Sequence, residues 1–215
     1  MATRIKICGI TRIEDGLAAA RAGADAIGLV FWPGTPRVVQ AAQAREIARA
    51  MPPFISIVGL FVDPTADEVN ATLETVPLDI LQFHGSEPPE LCRAFGRPYL
   101  KAIPVDAAGD LLESVSLYGD AAGLLFDAPP TLGMPGGTGR TFDWARLPAT
   151  LPRPLVLSGG LNAGNVARAI RMVRPWAVDV SSGVEASGPD DRTRAGIKDA
   201  AKIAAFVEEV RHADV

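Results

Sequence analysis

Residues 55–83 read ISIVGLFVDPTADEVNATLETVPLDILQF, and they hold one complete strand–helix–strand unit. Ile55 to Phe61 is a short apolar run rich in β-branched residues, which predicts a buried strand. Asp63-Pro64 then reads as a helix start, a capping residue followed by proline at the first helical position. Ile80 to Phe83 is the next apolar run and the next predicted strand.

The same rhythm continues outward in both directions. Further strands are predicted at Ile5 to Cys8, Ala26 to Phe31, Tyr99 to Ile103, Gly123 to Asp127, Leu155 to Ser158 and Ala177 to Val180, making eight. Besides the helix at Pro64, helices are expected to begin near Ile13, Ala41, Pro88, Ala107, Phe142, Ala163 and Thr193. Thr11 followed by Glu14 has the spacing of a capping box, and Ser86 and Asn162 are further cap candidates. Pro148 cuts the helix from Phe142 short. Eight strands and eight crossovers in 215 residues predict an α/β chain folded as one (β/α)8 barrel over residues 1–215. An open doubly wound sheet is the alternative, but it uses fewer strands or carries a glycine fingerprint after the first one. Here the first strand runs into Cys8-Gly9-Ile10-Thr11.

Composition narrows the function. With 48% hydrophobic residues the chain can bury a large core, and its net charge of −4 comes with no sustained basic run, so no nucleic-acid partner is expected. No apolar stretch reaches the roughly 18 residues of a membrane span, and charges from Arg4 to Asp15 interrupt any signal peptide. A cytoplasmic protein is expected, with Cys8 and Cys92 both reduced.

In a barrel the active site lies where the strands end, so the residues there carry the functional reading. Three glycine-rich segments follow strands six, seven and eight: Gly136-Gly137-Thr138-Gly139, Gly159-Gly160 after Ser158, and Ser181-Ser182-Gly183. Such loops let backbone N–H groups approach an anion, which predicts a phosphate site, although glycines also serve tight βα turns. Cys8 can be an inert small hydrophobe. Lys6, two residues earlier on the same strand face, could instead stabilise its thiolate and make it a base or nucleophile. Asp127 closes an apolar run, where a carboxylate is expensive unless it caps a turn or has a task. Cys8 and Asp127 together supply one group to take a proton and one to give it. His84 can line the mouth or make a turn hydrogen bond. Two distant histidines give little support to a metal site.

These residues also carry a resemblance. Lys6-Ile7-Cys8-Gly9-Ile10-Thr11, Pro36-Arg37, Leu81-Gln82-Phe83-His84-Gly85, Gly136-Gly137-Thr138-Gly139 and Asp179-Val180-Ser181-Ser182-Gly183-Val184-Glu185 together resemble the phosphoribosylanthranilate isomerase family of tryptophan biosynthesis. The resemblance implies a cofactor-free Amadori rearrangement of N-(5-phosphoribosyl)anthranilate on a (β/α)8 barrel. It implies Cys8 as general base, Asp127 as general acid and Arg37 as partner of the anthranilate carboxylate. Asp179 and His84 would lie at the substrate, and the glycine loops would hold the phosphate. Thr35 and Phe83 depart from the commoner Ser and Leu, which touches only the shape of the anthranilate pocket. The expected partner is a small sugar phosphate, with the enzyme a monomer or homodimer. The alternatives are the related aminoaldose isomerase of histidine biosynthesis, which resembles a barrel with Asp where this chain has Cys8, and a sugar-phosphate-binding barrel without catalysis.

Overall fold

A computed structural model describes residues 2–105, 111–129, 139, 141–148, 150–188 and 193–214. Eight parallel strands close into a barrel in chain order: β1 (Arg4–Cys8), β2 (Ala26–Val30), β3 (Ser56–Phe61), β4 (Ile80–Phe83), β5 (Tyr99–Pro104), β6 (Gly123–Asp127), β7 (Leu155–Leu157) and β8 (Ala177–Val180). Each expected strand is present to within a residue at either end. The seam closes where β1 meets β8, with Lys6 opposite Asp179 and Ile7 opposite Val180.

The strands are buried on both faces, as their mainly apolar runs require. Outward side chains such as Ile5, Ile7, Ile27 and Leu29 join the main core beneath the helices. Inside the barrel, Ala102, Leu125, Val156 and Ala177 make a floor with Leu100, and Cys8, Val30 and Leu60 form a separate patch with Trp32 and Val62.

Around the barrel lie α1 (Ile13–Ala22), α2 (Ala41–Ala50), α3 (Ala66–Thr75), α4 (Pro89–Arg93), α5 (Leu111–Leu117), α6 (Val166–Val173) and α7 (Ala200–Ala213). None of the described helices is long and apolar enough to cross a membrane. Several expected starts need correction. No α-helix forms from Phe142: only a 3-10 turn covers Trp144–Arg146, capped by Asp143. The last helix does not begin at Thr193. Thr193–Lys198 is β10, which pairs antiparallel with β9 (Glu185–Ser187), and α7 is capped by Asp199, which accepts from the N–H groups of Ala201 and Lys202. The start near Ala107 falls outside the described residues.

The caps differ too. The Thr11 hydroxyl donates to the Gly196 carbonyl instead of closing a box with Glu14, so α1 starts at Arg12 without a side-chain cap. The capping box on α3 is Thr65 with Glu68, because Asp63 sits at φ +47° and turns its carboxylate to the Ser86 N–H. Ser86 therefore caps nothing, and Pro88 precedes α4. Asn162 accepts from the Gly164 N–H in the turn before α6, whose first flanking residue is Asn165.

Candidate active site

The C-terminal ends of the strands surround a cleft enclosing about 730 Å³, including the part open to solvent. Cys8, Arg37, His84, Asp127 and Asp179 all line it, as do Gly159, Gly160, Ser181 and Ser182. Residues nominated from six strand ends thus converge on one space.

Period-two alternation on β1 turns Lys6 and Cys8 inward together. The expected consequence for the thiol does not follow. Lys6 Nζ lies 2.9 and 3.0 Å from the two Asp179 oxygens, with both side chains about 5% exposed, so its charge is already matched. Burial pushes the Cys8 thiol above its ordinary value and Asp179 adds to this, while Lys6 and Lys198 pull the other way without prevailing. The resting group is a thiol, not the stabilised thiolate that Lys6 alone suggests. Desolvation opposes the Lys6 charge, but Asp179 beside it holds the ammonium above its ordinary value.

Asp127 ends β6 with donors placed at both oxygens. The Ala128 N–H donates to Oδ1 at 2.7 Å, and His84 Nε2 lies 3.1 Å from Oδ2. Gln82 Nε2 in turn lies 3.0 Å from His84 Nδ1. His84 therefore meets the candidate acid directly.

The glycine loops pack tightly against this group. Gly159 has φ +83°, and a Cβ there would come within 2.7 Å of the Ala128 nitrogen and 3.0 Å of Asp127 Oδ1. A Cβ on Gly183 would come within 2.0 Å of the Leu161 carbonyl oxygen, and one on Gly139 would stand 3.5 Å from Ser182 Oγ. Residues from the three loops therefore meet in one quadrant. Gly136, Gly137 and Thr138 lie outside the described residues.

Arg37 is bound to a partner the sequence reading did not assign. Its Nε and Nη2 lie 2.7 and 2.9 Å from the two oxygens of Glu185, a bidentate pair. Lys198 Nζ stands 3.1 Å from the same carboxylate, and the Gly196 N–H donates to it at 2.9 Å. Strands β9 and β10 are thereby fastened to Arg37, which lines the cleft. Burial opposes the Glu185 charge, but the Arg37 hydrogen bond, Lys198 and the Gly196 N–H hold its carboxyl below the usual range. Burial lowers Lys198 despite Glu185 beside it.

A second buried pair supports the loop after β4. Lys101 Nζ donates to Glu87 and to the Gly85 carbonyl, both at 2.6 Å, and Glu87 accepts from the N–H groups of Asp63 and Gly85. Glu87, Lys101, Lys198 and Gln82 were not singled out from sequence. One had a readable signal: Gln82 interrupts an apolar strand at a position that alternation turns inward, whereas Lys101 lies on the outward face of β5 with Tyr99 and Ile103. Cys92 is buried in packing, and His212 is exposed near the end of α7. Among the described residues, no three His, Cys, Asp or Glu are grouped to hold a metal ion.

Comparison with known proteins bears on this arrangement as a whole. A family model described as N-(5'phosphoribosyl)anthranilate (PRA) isomerase matches residues 5–209. The N-(5'-phosphoribosyl)anthranilate isomerase of Pseudomonas paraeruginosa is 57% identical over 210 residues, 98% of this chain and 96% of its own. The crystal structure of phosphoribosyl anthranilate isomerase from Thermotoga maritima matches with a TM-score of 0.86 at 41% identity, covering 98% of this chain and 99% of that one. A further isomerase structure, solved with reduced 1-(o-carboxyphenylamino)-1-deoxyribulose 5-phosphate, matches with a TM-score of 0.81 at 38% identity, covering 98% and 99%.

Proposed function

The chain belongs to the N-(5'-phosphoribosyl)anthranilate isomerase family, and from that premise we propose that Cys8 and Asp127 are its proton-transfer pair. The reaction, a step of tryptophan biosynthesis, converts N-(5-phosphoribosyl)anthranilate to 1-(o-carboxyphenylamino)-1-deoxyribulose 5-phosphate. The observation that carries the assignment is that a thiol from β1 and a carboxylate from β6 face one cleft across the barrel.

Asp127 gives its proton to the ring oxygen of the sugar. The C1–O bond breaks, and the nitrogen lone pair forms C=N. Cys8, as thiolate, then takes the proton from C2. The electron pair left behind forms C1=C2 while the C=N electrons return to nitrogen, and the resulting enolamine tautomerises to the ketone. Atoms balance without a redox partner. Since burial favours the thiol at rest, Cys8 must lose its proton before it can act, and Lys6 and Lys198 are the cations placed to stabilise the anion.

Around this pair, the loops bearing Gly159, Gly160, Ser181, Ser182 and Gly183 bind the phosphate, together with Gly136 to Gly139. Arg37, held flat by Glu185, presents its guanidinium to the anthranilate carboxylate. Asp179 acts at the reacting end by holding Lys6. The enzyme is a cytoplasmic monomer or homodimer whose one barrel spans the chain.

Cys8→Ala and Asp127→Asn are expected to lower turnover by at least roughly 10²-fold each, with KM little changed. Deuterium at C2 separates the roles, because its isotope effect on turnover should be larger in Cys8→Ala than in Asp127→Asn. Near-wild-type turnover in Cys8→Ala sinks the base assignment, and a larger effect in Asp127→Asn means the roles are reversed.

A further inference from the structure

β4 reads Ile80-Leu81-Gln82-Phe83, and Gln82 is fully buried in it. Its Oε1 is buried without a hydrogen-bond partner. A stranded acceptor of this kind destabilises a fold, and leucine of nearly the same size would fill the place without one. The other end of the amide gives the reason for its presence.

An amide nitrogen can only donate. With Gln82 Nε2 at 3.0 Å, the contact is a hydrogen bond only when His84 Nδ1 accepts, the tautomer whose single proton lies on Nε2. That N–H points at Asp127 Oδ2, 3.1 Å away, while the Ala128 N–H occupies Oδ1 at 2.7 Å. Both oxygens then accept, the bonding pattern of an ionised carboxylate and the state the acid reaches after giving up its proton. Donors set in advance toward charge that develops during reaction act on the transition state. Gln82, His84 and Asp127 are thus joined by two successive contacts.

We infer that Gln82 is a positioning residue for the acid: its amide N–H fixes the Nε2–H tautomer of His84, which in turn stabilises the negative charge left on Asp127. His84, expected at the substrate, lines the cleft and also contacts Asp127. The inference rests on Asp127 being the acid, and its primary readout is independent of activity.

The chain has two histidines, so a protein carrying ¹⁵N-labelled histidine gives two imidazole spin systems, and His212→Gln leaves only His84. Long-range ¹H–¹⁵N spectra of the wild type should show a protonated Nε2 and a bare Nδ1. Gln82→Leu should give a mixture of tautomers and lower kcat about 10- to 100-fold, the range for second-layer partners of a functional histidine. KM should change little and Tm should not fall. Gln82→Glu, whose carboxylate can only accept from Nδ1–H, should shift the proton to Nδ1. A protonated Nδ1 in the wild type overturns the inference. So does Gln82→Leu with unchanged tautomer and a lowered Tm, the signature of a merely structural residue. Near-wild-type turnover of Asp127→Asn with the Nε2–H pattern intact would instead remove the acid assignment and with it the catalytic part.

Discussion

Replacing Arg37 by Met tests the clamp at the cleft edge. Arg37 and Glu185 are 8% and 1% exposed, and the substitution takes both guanidinium bonds from a carboxylate that stays buried. Removing one member of a buried pair destabilises by about 3–5 kcal/mol. Lys198 and the Gly196 N–H remain on Oε1, so the low end applies, about 3 kcal/mol. For a chain of this size that corresponds to a fall in Tm of about 6–12 °C. The effect should depend on pH with a definite sign. Glu185 is held below its unfolded value, so its contribution is fully present above that value, about 4.3, and is lost as pH falls through the folded one. The Tm gap between wild type and Arg37→Met should therefore be widest near neutrality and narrow as pH drops below about 4. Differential scanning fluorimetry from pH 3 to 8 measures it. A gap that stays constant over that range, or one under about 2 °C at pH 7, would refute the reasoning.

Further outcomes follow from the same geometry. Arg37→Met should raise KM for the substrate, and an analogue lacking the carboxylate should lose little further affinity in the variant; if the two losses add, Arg37 does not hold the carboxylate. Inorganic phosphate should raise Tm by mass action, by about 2.7 kcal/mol of stabilisation at a hundredfold excess over Kd. Gly160→Val should abolish that shift, because a side chain at φ +61° distorts the loop and blocks the N–H approach. An unchanged phosphate shift in the variant puts the anion elsewhere. Iodoacetamide should alkylate native Cys8 slowly at pH 7 and faster above pH 9, since burial raises the thiol, whereas Cys92, raised to about 12, should stay unmodified through pH 10. Mass spectrometry reads both, and rapid labelling of Cys8 at pH 7 would show a thiolate already present. Thr65→Ala should destabilise by about 0.5–2 kcal/mol through loss of the capping box on α3.

The strands were legible in the sequence because each is buried on both faces and reads as a mainly apolar run, broken only by isolated polar residues such as Lys6 or Asp127. Helix starts were less so, since a cap candidate competes with tertiary partners: the Thr11 hydroxyl goes to Gly196, 185 residues away, and the Asp63 carboxylate to Ser86. Thr193–Lys198 carries Thr, Arg and Lys with little apolar alternation, and becomes a strand because β9 lies beside it. At the site, residues that end strands could be nominated one at a time. Their couplings could not: that Lys6 is matched by Asp179, or that Arg37 is taken by Glu185, depends on contacts spanning 173 and 148 residues.

The seam between β1 and β8 sets an order of events during synthesis. At about 5–20 residues per second, β1 leaves the ribosome roughly ten to thirty seconds before its last neighbour is made. Until then the first strand of the barrel has an unpaired edge, and Cys8 and Lys6 lack the Asp179 carboxylate that faces them. A nascent chain stopped short of β8 should therefore hold most of its helices and no working site, and turnover would report the closed ring alone. The interval is also when such an edge is open to pairing with another chain, so a holdase that shields residues 4–8 would act on unfinished molecules and have nothing to grip once the ring is shut.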